Sequence, residues 1–377
     1  MTKRFWKNAY AVLLALLCAA GFACAAYFAY SGYGATGLWA CLAGGALSLC
    51  FAPLFHELGH IVFAKANGFE VVFWKIFIVK YDFTGEKRRL GFCSPFAAEQ
   101  TQAVPKRAYA DMKKRAAAYT LGGLVFGGAF LLIVLFSAVF LRVFGCAAAF
   151  AFFGALPYAA YLFLLNLPPF EYAGGKTDVR VLKEILKDEP CGVRLVSAMN
   201  AQGESASGKP YSEIDKKYLE NLPVIAEDEP LFAMNEFSLY FAAAETRDFE
   251  TAAKHINRLA LLSAYLTGEE QRAALCELTY LNALLADESQ AEKCFVALCG
   301  DTASAEAEKA GAAEVLKTSA ENRAAAAYYV MRGEFSSAAR SIAAAEAAAK
   351  KEKFSGVAES EKLLLSTVKD RLGCVGE

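Results

Sequence analysis

Four apolar runs of about twenty residues each fill most of the first 170 positions of this 377-residue chain. They cover roughly 9–30, 38–63, 116–140 and 147–167. Coiled as a helix, such a run matches a hydrocarbon layer about 30 Å thick. Lipid offers no partner to backbone N–H and C=O groups, so each run is expected to bond internally, as a helix does. Four of them inside a soluble core would leave too little polar surface. The expected fold class is therefore mainly α, a polytopic membrane protein with about four transmembrane helices. Lys3, Arg4 and Lys7 precede the first run as in a secretory signal. Its apolar part outruns the usual 7–15 residues, so it reads as a retained span.

The formal net charge of -1 hides a split. Residues 180–377 hold 23 Lys/Arg against 32 Asp/Glu, a net of -9, whereas 64–115 hold 11 against 5, a net of +6. A membrane domain over 1–182 and a soluble helical domain over 183–377 follow, and nothing points to nucleic acid. The connections between spans one and two and between three and four contain one charge, Arg142. Positive residues stay on the cytoplasmic side, so both termini and the 64–115 loop are expected in the cytosol. The 11 cysteines are scattered and form no C-x-x-C pair, which reads as reduced thiols.

Of three histidines, two lie in "FHELGHIVF" at the end of the second run. Ionisable groups inside a span are expensive and point to function. On a helix His56 and His60 share a face and can reach one ion, while Glu57 is offset by about 100°, as suits a base acting on water. Gly59 is expected to keep the neighbouring surface open. The site should lie roughly 10 Å below the cytosolic surface, counting about 1.5 Å per residue to Phe63. A catalytic zinc (Zn2+) usually takes three protein ligands and leaves a fourth place for water. His255 is remote and reads as an exposed helix residue. Spans one, three and four contain no Asp or Glu, so the first candidates for a third ligand are Glu171 and Asp178, in "NLPPFEYAGGKTDVRVL".

The intramembrane "HELGH", the glycine-rich "LGGLVFGG" (121–128) and a span ending in Asn-x-x-Pro before an Asp together resemble the site-2 protease family. These are intramembrane zinc metallopeptidases, and the resemblance covers roughly 38–182. It implies zinc held by His56, His60 and Asp178, with Glu57 as catalytic base. Asn166, of the Asn-x-x-Pro pair with Pro169, would help hold the substrate or oxyanion. It further implies a metalloendopeptidase of a bacterial plasma membrane that cleaves membrane-embedded protein or peptide substrates near the cytosolic side. The sequence departs from the family in two places. Gly127 stands where an Asn is common, and Gly174 stands where the Asp is usual, eight residues after Asn166. An inserted "EYAGGK" is expected to bring Asp178, followed by Val179 rather than Gly, to the metal.

The segment 69–92 is rich in β-branched and aromatic residues and reads as one β-hairpin beside the site, turning at Thr84-Gly85. Its edge would hold a substrate extended. Residues 94–115 read as a connector with a basic end at the headgroups. In the soluble half, "RDFETAAKHI", "DESQAEKCF" and "RGEFSSAARSI" each follow an aromatic-containing helix, at intervals of about 39 and 47 residues. These units resemble tetratricopeptide repeats and would offer a protein partner a surface. Residues 200–213 read as a flexible linker or loop. Two other functions fit the sequence: a membrane zincin of another class with Glu99 as third ligand, and a catalytically inactive membrane scaffold whose repeat-like domain does the binding.

Overall fold

Gly34 decides how the N-terminal apolar sequence is arranged. In the computed structural model, which describes residues 2–76, 78–83, 89–92, 100–172, 175–300 and 316–375, helix α1 spans Thr2–Ala66 and is interrupted at Gly34 (φ 61, ψ -145). A straight 65-residue helix would be about 100 Å long, with Phe22 and Gly45 roughly 35 Å apart. Instead a Cβ placed on Gly45 would lie 2.3 Å from the Phe22 ring, and one on Gly37 would lie 2.4 Å from Ala29 O. The two arms therefore run back along each other. A left-handed φ is open to glycine at little steric cost, which is why the reversal sits there.

Among the described residues, three helices are long and apolar enough to cross a membrane: the folded-back α1 (from Asn8), α2 (Met112–Val143) and α3 (Ala149–Asn166). Small residues let their backbones touch. A Cβ on Gly44 would meet Ala151 O at 1.8 Å, and one on Gly154 would meet Cys41 O at 2.1 Å. Ala29, Cys41 and Phe150 form the buried centre of this α1–α3 contact. Side chains tie both ends: Tyr10 Oη donates to Leu164 O (2.8 Å), and Tyr33 Oη donates to Gly145 O (2.7 Å).

The expected single hairpin is a larger structure. Strands β1 (Phe69–Ile76), β2 (Val79–Asp82), β3 (Arg89–Phe92) and β4 (Gln100–Pro105) form one sheet in the order β3-β2-β1-β4. The antiparallel β1–β2 register ends at Ile76↔Val79, so the first reversal comes between these two residues, earlier than Thr84-Gly85. No Gly, Pro, Asn or Asp marks that turn in the sequence. Thr84, Gly85 and Glu99 lie outside the described residues. The supposed connector supplies β4, whose Thr101, Ala103 and Pro105 are buried while Gln100 and Gln102 are exposed. A second, two-stranded sheet, β5 (Glu171–Tyr172) with β6 (Gly175–Lys176), leads into α4 (Asp178–Leu186).

The chain divides into two compact units, one of 1–104 with 110–196, the other of 105–109 with 197–377. The division falls inside α5 (Pro190–Ala206) rather than at 182. Asn200 Oδ1 accepts the Tyr109 N–H (3.0 Å), which ties 105–109 to the second unit. That unit contains α6 (Pro230–Glu245), α7 (Phe249–Leu261), α8 (Gly268–Leu284) and α9 (Glu288–Cys299). It continues with α10 (Ser319–Met331), α11 (Phe335–Ala349) and α12 (Ser355–Val375).

Three helix pairs, α6–α7, α8–α9 and α10–α11, close through the same turn. Its central residue is left-handed each time: Arg247 (φ 63), Ala286 (φ 57) and Gly333 (φ 74). Each following N–H bonds to the carbonyl five residues back: Asp248 to Ala243, Asp287 to Asn282 and Glu334 to Tyr329. This six-to-one bond closes a helix end efficiently.

Two local expectations are corrected here. Residues 200–213 are a loop only in their second half: α5 runs to Ala206, and Glu204 Oε2 accepts the Asp215 N–H (2.9 Å). His255 is not exposed either. Its side chain is 23% accessible, with Nδ1 2.8 Å from Oε2 of the buried Glu236.

Candidate metal centre

Helix geometry delivers the first part of the site. His56 and His60 are one turn apart on the second arm of α1, their ring centroids 5.0 Å apart and nearly perpendicular. Glu57, His60 and His56 each offer a ligand atom within 4.8 Å of the others, and this group could hold a metal ion. The Tyr119 carbonyl can only accept, so His60 Nδ1, 3.0 Å away, must carry the proton. That fixes the tautomer with the Nε2 lone pair free, as a metal-binding imidazole needs.

The second arm of the site comes from the end of α3. Pro168 and Pro169 follow Asn166 and stop the helix, and Gly175 takes φ 130 in the β5–β6 hairpin. Thr177 then donates to Pro168 O (2.8 Å) and accepts the Arg180 N–H (3.3 Å), capping α4. Behind it, Glu184 on α4 sits 2.8 Å from Arg180 Nε and 3.2 Å from Lys176 Nζ, holding hairpin and helix together.

Asp178 is thereby fixed as the first residue of α4, with Oδ2 3.2 Å from His56 Nε2 and 3.4 Å from His60 Nε2. That oxygen is buried and makes no hydrogen bond of good geometry. Burial pushes the carboxyl up, and the two imidazoles, whenever they carry a proton on Nε2, more than reverse this by hydrogen bonding and charge, holding it below the usual carboxylate range.

Two carboxylates thus border the histidine pair, and their environments differ. Glu57, only 4% exposed, has Oε2 engaged by Thr101 Oγ1 at 2.5 Å. Asp178 Oδ2 is orphaned. Together they line a cleft of about 480 Å3 with Pro53, Thr101, Tyr119 and Asn166. Asn166 donates Nδ2 to Leu162 O one turn back (3.2 Å), so part of its amide is spent on its own helix. Glu171 is exposed on β5 and is not among the residues lining the cleft.

Several residues that build the site escaped the sequence reading. Gly59 does not open a surface: a Cβ there would lie 2.1 Å from Gly122 O, so it is where α1 and α2 cross backbone to backbone. Gly123 is what makes room for the imidazoles, since a Cβ on it would lie 2.3 Å from His60 Nε2. Gly127, where the resemblance expects Asn, faces His56 Nδ1 at 3.5 Å by the same measure. Thr101 and Tyr119 come from β4 and α2. Nothing local in the sequence around Thr101 marked it.

Gly123→Ala is expected to push His60 aside and weaken metal binding about ten- to a hundredfold, given about 1–3 kcal/mol for overpacking. Competition for the metal with a chromophoric chelator measures it. No family model, curated protein or solved structure matches the chain.

Proposed function

We propose that the chain is a zinc-dependent intramembrane endopeptidase, with α1 counted as two crossings and four in all. The observation that supports this most is the orphaned Asp178 oxygen 3.2 and 3.4 Å from the two imidazole nitrogens. Zinc bonds of about 2.0–2.1 Å in a tetrahedron put ligand atoms about 3.3–3.4 Å apart, so the donor set of His56, His60 and Asp178 fits that ion. A zinc ion held there would polarise a carbonyl and lower the pKa of a water to about 7.

The protein groups then have separate tasks. Glu57 accepts a proton from water as the water oxygen adds to the peptide carbonyl carbon. It returns that proton to the amide nitrogen as the C–N bond breaks, giving a carboxylic acid and an amine. The remaining N–H of Asn166 is the side-chain donor proposed for the oxyanion. A peptide bond within a helix is shielded, so the substrate must be extended first. Strand β4 ends the sheet order and contributes Gln100 and Thr101 to the cleft, which suits strand pairing with an unwound segment.

The substrates proposed are membrane-embedded proteins or peptides, and the helical second unit is proposed to bind a protein partner. Metal analysis of the purified, detergent-solubilised chain tests the reading, with one zinc per chain expected. Glu57→Gln should retain the zinc, lose turnover by at least about a hundredfold, and trap bound membrane proteins. Full biological function in that variant would favour the scaffold reading instead.

A further inference from the structure

We propose that Thr101 is a positioning residue that aims the Glu57 carboxylate for proton transfer and couples it to strand β4. This rests on the hydrolase reading above. Thr101 Oγ1 donates to Glu57 Oε2 at 2.5 Å, and both residues are buried, at 9% and 4% exposure. A hydroxyl has one proton to give, and here it goes to one carboxylate oxygen, leaving Oε1 to accept from water.

Thr101 is itself held. Its carbonyl accepts from Tyr119 Oη at 2.6 Å, and the Tyr119 carbonyl accepts from His60 Nδ1 at 3.0 Å. A chain of hydrogen bonds therefore runs from a metal-facing imidazole through α2 and β4 to the base. The β-branched side chain adds stiffness, because Thr has few χ1 choices on a strand. A longer polar residue would reach Glu57 only with freedom that a proton-transfer geometry does not tolerate. A substrate paired with β4 would lie along the strand that holds the base in place.

The test uses full-length, zinc-loaded protein in detergent and acetohydroxamic acid as the probe. A hydroxamate hydrogen-bonds to the base carboxylate of a zinc hydrolase as it binds, so its affinity reads the aim of Glu57 without turnover. Zinc content is measured on every variant. Thr101→Val keeps the shape and removes the hydroxyl. It should keep its zinc and bind the probe about ten- to a hundredfold more weakly, the scale of a hydrogen bond to a charged group. Thr101→Ser should restore affinity to within a few-fold.

Equal binding by wild type and Thr101→Val overturns the proposal, as does equal weakening in the Val and Ser variants. Loss of zinc from Thr101→Val would also overturn it, showing a structural role. A wild type without stoichiometric zinc, or one whose probe affinity Glu57→Gln leaves unchanged, sinks the hydrolase reading itself and the proposal with it.

Discussion

Asp178→Ala is expected to empty the metal centre, leaving His56 and His60 as an incomplete pair. Outer-shell changes around metal sites already weaken binding 10- to 100-fold, so loss of a direct carboxylate should exceed about a hundredfold. The effect is large because nothing nearby can substitute. Glu171 is exposed and does not line the cleft, and Glu57 Oε2 is committed to Thr101. Asp178→Asn separates charge from shape, since it keeps the side-chain volume and removes the negative charge. Both variants should lose zinc by metal analysis while keeping the helical content of the wild type. Undiminished zinc in Asp178→Ala would move the third ligand to Glu57 and leave the chain without its proposed base.

The second large effect is expected in the helical unit, at Arg323. Its side chain is fully buried; Nη2 donates to Glu277 Oε1 (2.7 Å) and Nε donates to Glu361 Oε2 (3.1 Å). Tyr240 Oη donates to Glu277 Oε2 (2.8 Å), Ser319 Oγ donates to Glu361 Oε2 (3.0 Å), and the guanidinium lies 4.4 Å over the Tyr280 ring. One cation thus serves two buried carboxylates on α8 and α12.

Arg323→Met would leave both carboxylates unpaired, and breaking a buried pair typically costs about 3–5 kcal/mol. Against a domain stability of about 5–15 kcal/mol, that is a large share. Burial already pushes the Glu277 carboxyl up. A carboxyl raised in the folded state binds protons there that the unfolded chain has released, so stability falls as pH rises from the ordinary carboxylate range. With the cation gone this slope should steepen, and the variant should be least impaired in acid. Amide exchange of α8 and α10 in the intact protein measures it; unchanged protection at neutral pH would refute the expectation.

These two sites also show what the sequence discloses and what it hides. The "HELGH" pair was legible because four-residue spacing on a helix is a local matter. Asp178 was reachable because the spans hold so few carboxylates, and the structure brings it to both histidines. The strand content of 69–92 was legible from its β-branched and aromatic residues. Its turns were not, because the sequence between the paired Ile76 and Val79 holds no turn-forming residue. Thr101, Tyr119 and Gly123 act through contacts between elements far apart in the chain. A threonine in a polar stretch and one glycine among several give no hint of a partner. Arg323 reads locally as a helix-surface residue, and only the packing of α8 and α12 around it reveals a buried charge.

The division of the centre between α1 and α4 has a consequence for biogenesis. Residues 56 and 60 leave the ribosome more than a hundred positions before residue 178, and among the described residues every helix long and apolar enough to cross a membrane ends at or before Asn166. A nascent chain that has inserted only its early helices therefore carries Glu57 and the two imidazoles but not Asp178. On the proposed hydrolase reading, competence would arrive only after the last helix is in place, and the growing polypeptide and its neighbours in the insertion machinery would be spared a premature blade.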